Sequence, residues 1–193
     1  MNNDNYKKII LILFCALLPI FLMLLSYKTV LIFTDLDSAQ QNVFDFLADK
    51  AELRQGFTAD EASHLVDVKK LMDKIDIFFY ALLFLLTIAW TYHKKDKESI
   101  TQFFKYGGIG TASSISFILV ALSFFFNYTF TFFHLIFFPQ GNWVFPAESL
   151  LIQTFPWTFF FSIARNIFLL SLFLGIIFIS LSYYLQYVHR KRH

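Results

Sequence analysis

The amino-acid sequence predicts an all-α membrane protein, a single integral membrane domain over residues 1–193. It has about four transmembrane helices, both termini on the cytoplasmic side, a helical first outer loop and an aromatic, interfacial second outer loop. Three observations predict this class. Of the 193 residues 57% are hydrophobic and 28 are Phe, more apolar surface than a domain of this length can hide from water. The apolar residues gather into four runs separated by polar connectors. Charge is segregated, with Lys and Arg concentrated at the N-terminus, in the middle connector and at the C-terminus.

The first run, 9–33, follows Lys7 and Lys8 in the manner of a secretory signal. It is too long for a signal core of about 7–15 residues and is expected to be a retained helix. Its Cys15 is the single cysteine, which excludes an intrachain disulfide or a dithiol relay. The connector 34–74 follows. From Thr34 to Asp76 the chain has ten acidic and five basic residues, the balance of a translocated loop. The second span, 75–92, leads into Lys94, Lys95, Lys97 and Lys105, a cytoplasmic signature. The third, 109–134, has a small and polar stripe at Gly110, Thr111, Ser113, Ser114 and Ser116, suited to close helix packing. The outer loop 135–157 has Glu148 as its one charge and is expected to lie in the interface or dip into the membrane. The fourth span, 158–187, exceeds the membrane thickness and ends in the basic tail Arg190, Lys191 and Arg192. No nucleotide-binding glycine loop or repeat interrupts this plan.

Chemistry-bearing residues collect on the outer side. Thr58 and Glu61 have capping-box spacing, which predicts a helix through His64, Asp67 and Leu71 toward the second span. His64 and Asp67, three apart, share one face of it. A carboxylate beside an imidazole fixes the tautomer and stabilises the imidazolium, as a general base requires, though the same spacing also suits a solvated helix face. His134 closes the third span amid Phe residues, where an ionisable group is costly and either functional or a headgroup anchor. The topology puts it on the side of His64. Arg165, two turns into the last span, either snorkels to lipid phosphates or binds substrate. Near it in sequence, Asn142 can donate to an oxyanion, Trp143 suits an interfacial anchor, and Glu148 is the loop's charge. His93, His189 and His193 are expected at the surface and Cys15 in the core.

The stretch Glu61-Ala62-Ser63-His64-Leu65-Val66-Asp67-Val68-Lys69 resembles the E-x-x-H-L-x-D-V-K stretch of the lipoprotein intramolecular transacylases, the Lit family. The block Phe133-His134, Phe137-Phe138 and Asn142-Trp143-Val144-Phe145-Pro146 is similar to that family's second signature. The order of the blocks and the four spans agree over essentially the whole chain; Glu148 stands where the family is expected to have Asp, and Trp157 where an acidic residue is expected.

The resemblance implies an enzyme acting on diacylglyceryl-modified bacterial lipoproteins within membrane lipid of the cell membrane. It moves the sn-2 acyl chain of the glycerol to the α-amine of the N-terminal cysteine, at the extracytoplasmic face. His64, Asp67 and His134 would be catalytic, with His64 favoured as base and His134 as acid or oxyanion donor, the reverse assignment remaining open. Asn142, Trp143, Glu148 and Arg165 would contact substrate. Donor and acceptor share one molecule, so neither cofactor nor metal is implied. Two alternatives stand beside it: a zinc-dependent membrane hydrolase using His64, Asp67, His134 and Glu148, and a non-enzymatic lipid-binding accessory protein.

Overall fold

The computed structural model describes residues 3–191, so Arg192 and His193 lie outside the described residues. Six helices follow in order: α1 (Asn3–Ile32), α2 (Ser38–Leu47), α3 (Ala59–His93), α4 (Lys97–Phe137), α5 (Leu150–Thr154) and α6 (Trp157–Arg190). Four of them, α1, α3, α4 and α6, are long and apolar enough to cross a membrane.

Caps explain where the helices start. Asp37 and Gln40 form a capping box at α2, and Thr58 and Glu61 form the expected one at α3. The side chains of Asp96 and Ser149 cap α4 and α5. The α3 helix is continuous for 35 residues, about 52 Å at 1.5 Å per residue. Roughly 20 residues suffice to span the hydrocarbon. Its N-terminal part, which contains Asp60, Glu61, His64, Asp67, Lys69 and Lys70, therefore projects beyond the apolar span.

Contacts along the helices set their directions. Phe14 stacks on Phe103 with ring centroids 4.1 Å apart, so α1 and α4 begin at the same end. Lys28 pairs with Asp76 at 2.7 Å, so α3 runs against α1. The Ser182 hydroxyl donates to the Thr101 carbonyl at 3.1 Å, and Phe126 packs on Phe161, so α6 runs against α4. One end of the bundle thus gathers the start of α1, Lys94, Lys95, Lys97, Arg190 and Lys191. The other gathers α2, α5 and both histidine-bearing segments.

The small stripe on α4 packs only in part. Thr111, Gly107 and Gly108 are buried and Gly110 faces α1, whereas Ser113, Ser114 and Ser116 are exposed. At 3.6 residues per turn the buried face continues through Ile115, leaving those serines on the opposite side. Gly108 is where α6 approaches most closely: a Cβ there would lie 2.9 Å from the Gly175 carbonyl oxygen and 2.8 Å from Ile179. Gly108→Ala is therefore expected to cost about 1–3 kcal/mol of overpacking, read as a lowered Tm in detergent. Gly175→Ala, whose nearest neighbours would be at 3.1–3.2 Å, should cost less.

One further expectation needs correction. His93 is not at the surface; it is 1% exposed, with its ring 5.0 Å from Phe103, because α4 folds directly back over the end of α3. The loop after α4 packs in part on protein. Phe138, Leu151 and Phe155 are buried, and Leu151 and Phe155 join Val43, Leu47 and Leu65 in a small core that Phe145 and Phe159 flank. Protein packing by α2 and α3 thus covers much of its apolar surface, while Val144 still faces outward.

Candidate active site

The α3 cap places Glu61, His64 and Leu65 on the buried face of that helix. On α4, Phe125 has non-helical backbone (φ −133°, ψ 37°), a kink that redirects the last turns bearing His134. The two imidazoles are buried and face each other, centroids 6.3 Å apart and planes at 26°. Phe138 lies 4.9 Å and Phe145 5.7 Å from the His64 ring, and Trp143 lies 4.8 Å from that of His134. The result is an aromatic chamber with two bases in it.

The histidines differ in what holds them. His134 Nδ1 is 2.8 Å from the Phe130 carbonyl oxygen. A carbonyl only accepts, so Nδ1 carries the proton and Nε2 keeps a lone pair. His64 Nδ1, by contrast, is buried without a hydrogen-bond partner, as is Asn142 Oδ1. Burial first, then the charge of His134, lower the His64 pKa; the Asn142 side chain and Asp67 act the other way without cancelling them. His64 is therefore neutral at neutral pH.

Asp67 does not bond His64 directly, as the i, i+3 spacing had suggested. Its Oδ2 accepts from Asn142 Nδ2 at 2.9 Å and Gln140 Nε2 at 3.0 Å, and its Oδ1 from Lys70 at 3.0 Å. The bonds from Asn142 and Lys70 outweigh its desolvation and hold it below the usual carboxylate range. Gly141, at φ +81°, makes the turn that lets both flanking amides reach one carboxylate oxygen. The carboxylate thus fixes the loop, and the loop brings Asn142 to His64.

Glu61 does more than its capping box announced. It is 1% exposed; Oε1 accepts from the Leu151 N–H at 2.8 Å and Oε2 from the Thr58 N–H at 2.7 Å. Burial raises its pKa, but the N–H groups of Leu151 and Thr58 with the hydroxyls of Thr58 and Ser149 prevail and lower it. One ionised side chain clamps the starts of α3 and α5. The signal lay in the sequence, since Glu61 shares a helix face with His64 three residues on. Gln140 gave no such signal. Glu61→Gln puts an amide NH2 against a backbone N–H, and is expected to destabilise by about 1–3 kcal/mol, seen as faster amide exchange at Leu151.

The remaining candidates are not in the chamber. Glu148 is exposed, and its backbone carbonyl accepts from Gln153. Arg165 is also exposed, with Nη2 3.5 Å from Asn166 Oδ1; neither contacts a histidine. Among the described residues no three His, Cys, Asp or Glu are grouped to hold a metal ion, so the donor set of a zinc hydrolase is not assembled.

A search among curated proteins finds no significant match. Among solved structures, the fold is similar to that of the membrane integral lipoprotein intramolecular transacylase Lit from Bacillus cereus. The TM-score is 0.79 at 22% identity, over 98% of this chain and 99% of that one. A histidine-to-alanine variant of the same protein aligns with a TM-score of 0.78 at 22% identity, over 98% and 96%. A histidine-to-arginine variant gives 0.75 at 21%, again over 98% and 96%. The model of lipoprotein intramolecular transacylase Lit matches residues 7–160, most of the chain and both histidine segments, and the chain therefore belongs to the Lit family.

Proposed function

We propose that this protein moves the sn-2 acyl chain of a diacylglyceryl-cysteine lipoprotein from its glycerol ester to the α-amine of the same cysteine. Family membership already makes acyl transfer on lipoproteins its general activity; the donor position, the acceptor and the residue roles are our reading. The observation that carries it is the buried His64–His134 pair, with the tautomer of His134 set by the Phe130 carbonyl.

An α-amine attacks only when neutral, and must lose a proton as its C–N bond forms. His134 Nε2 takes that proton. The His134 imidazolium then gives it to the glycerol oxygen as the C–O bond of the tetrahedral intermediate breaks. The proton count closes within one residue, the amide replaces the ester, and no external acyl donor enters. Neutral His64 supplies an N–H to the oxyanion, which a preorganised donor stabilises without reorganisation. This reverses the favoured sequence reading, in which His64 was the base, because the carbonyl bond that selects a tautomer is on His134. Asp67 fixes Asn142 and the loop that packs beside His64. Burial of both rings among Phe138, Phe145 and Trp143 excludes water, which would otherwise hydrolyse the ester. Donor and acceptor in one molecule gain up to about 7–11 kcal/mol from proximity.

The chamber lies at the acidic end of the bundle, opposite the Lys- and Arg-rich end. By the positive-inside rule it faces outward, with both chain termini in the cytoplasm. The test is mass spectrometry of a reporter lipoprotein's N-terminal lipopeptide from a host that makes only diacylglyceryl-cysteine, with and without this chain. An N-acyl cysteine with a free glycerol hydroxyl is expected. An unchanged diacylglyceryl peptide, with the protein folded in the membrane, would exclude the reading.

A further inference from the structure

Away from the chamber, a cleft of about 360 Å³ opens between the end of α1 and the first turns of α6. Its apolar walls include Val30, Phe33 and Phe159; its polar groups are Thr34 and Asp35 on one side and Ser162 and Asn166 on the other. Ser162 and Asn166 are one turn apart and so share a helix face. Arg165 does not line the cleft itself, but its Nη2 is 3.5 Å from Oδ1 of the lining Asn166.

Three features of this cleft stand apart from the histidine pair. Arg165 is exposed in an otherwise apolar helix, and among the described residues no carboxylate lies within ion-pair distance of it. Asp35 is likewise exposed and has no ion-pair partner among the described residues. The two charges also stand at different depths. Asp35 lies beyond the end of α1, while Arg165 is eight residues into α6, about 12 Å down its axis.

From this we infer that the α1/α6 cleft is a binding site for a glycerophospholipid with a primary-ammonium headgroup. Its phosphate sits against Arg165 and Asn166 and its ammonium at Asp35, with its acyl chains continuing deeper over the exposed Leu169 and Phe173 of α6. The vertical order matches such a lipid, whose phosphate is deeper than its ammonium. An ionised phosphate accepts from a guanidinium and an amide in charge-assisted bonds. A quaternary ammonium has no N–H to give Asp35, and a glycerol headgroup has no positive charge. The diacylglyceryl-cysteine substrate has no phosphate, so this site is separate from the chamber, and its failure would leave the acyl-transfer reading untouched.

Native mass spectrometry of the purified full chain tests it, with phosphatidylethanolamine, phosphatidylcholine and phosphatidylglycerol of identical acyl chains supplied in equal amounts. One phosphatidylethanolamine per protein is expected, retained about tenfold over the other two. Asp35→Asn should abolish that preference while leaving phospholipid retention in place. Arg165→Gln should weaken all three lipids about tenfold, and Arg165→Lys should restore most of it. Asp35 lies outside the helices, so its variant remains informative if Arg165→Gln does not fold. Equal retention of the three lipids by the parent protein would mean that Arg165 only snorkels, and would overturn the site. Displacement by inorganic phosphate or by chain-free glycerophosphoethanolamine would overturn its assignment to a lipid.

Discussion

Replacing His134 with alanine is expected to lower intramolecular acyl transfer by about 10²–10⁴-fold, the range for removing a positioned general acid–base group. The size follows from the double duty of this residue. The same Nε2 takes the proton from the attacking amine and returns it to the glycerol oxygen, so its loss leaves both C–N formation and C–O cleavage unassisted. His134→Gln is the sharper variant. Glutamine keeps a polar group of similar reach but has no basic lone pair, so it should be as inactive as alanine. The measurement is the ratio of N-acyl to diacylglyceryl lipopeptide over time with purified protein and reporter. A glutamine variant within a few-fold of the parent would remove His134 from the proton path.

His64→Ala is expected to lower kcat by about 10²–10³-fold, the usual effect of deleting one oxyanion donor, with little change in KM. His64→Asn, which retains an N–H donor, should recover part of the loss. The two residues act on one tetrahedral intermediate, so the double variant should be far less impaired than the product of the single effects. Multiplicative losses would mean that the histidines serve different steps. The pH profile gives a second check. Burial and the neighbouring His134 charge lower the His64 pKa, so His64 is neutral above the ordinary histidine value of about 6.5 and for some way below it. A protonated imidazole still donates an N–H, so titration of His64 should add no acid limb, and the parent and His64→Ala should share the limb of the base His134. A limb absent from His64→Ala would contradict the donor assignment.

Much of this protein was legible from one dimension. The four spans were readable because 20-odd apolar residues in a row have few structural outcomes. The start of α3 was readable because Thr58 and Glu61 obey a local hydrogen-bond rule confined to one turn. The two histidines stood out because ionisable residues are rare against Phe and lipid. Less local features misled. His93 looked solvated among lysines, yet the return of α4 buries it. Ser113, Ser114 and Ser116 looked like a packing stripe, yet helix phase turns them away from Thr111 and Ile115.

Sequence alone determined that the chain is a helical membrane bundle and which residue types its chemistry could use, because hydropathy, charge placement and caps act over a few turns. Tertiary structure alone decided what those residues touch. It assigned Asp67 to Asn142 and Gln140 rather than to His64, and turned Glu61 from a cap into a clamp between α3 and α5. It also separated Arg165 and Glu148 from the histidines. The reason is geometric: each outcome depends on the Phe125 kink, the Gly141 turn and the Gly108 contact, which set how distant segments meet, and spacing along a chain contains no angle between helices.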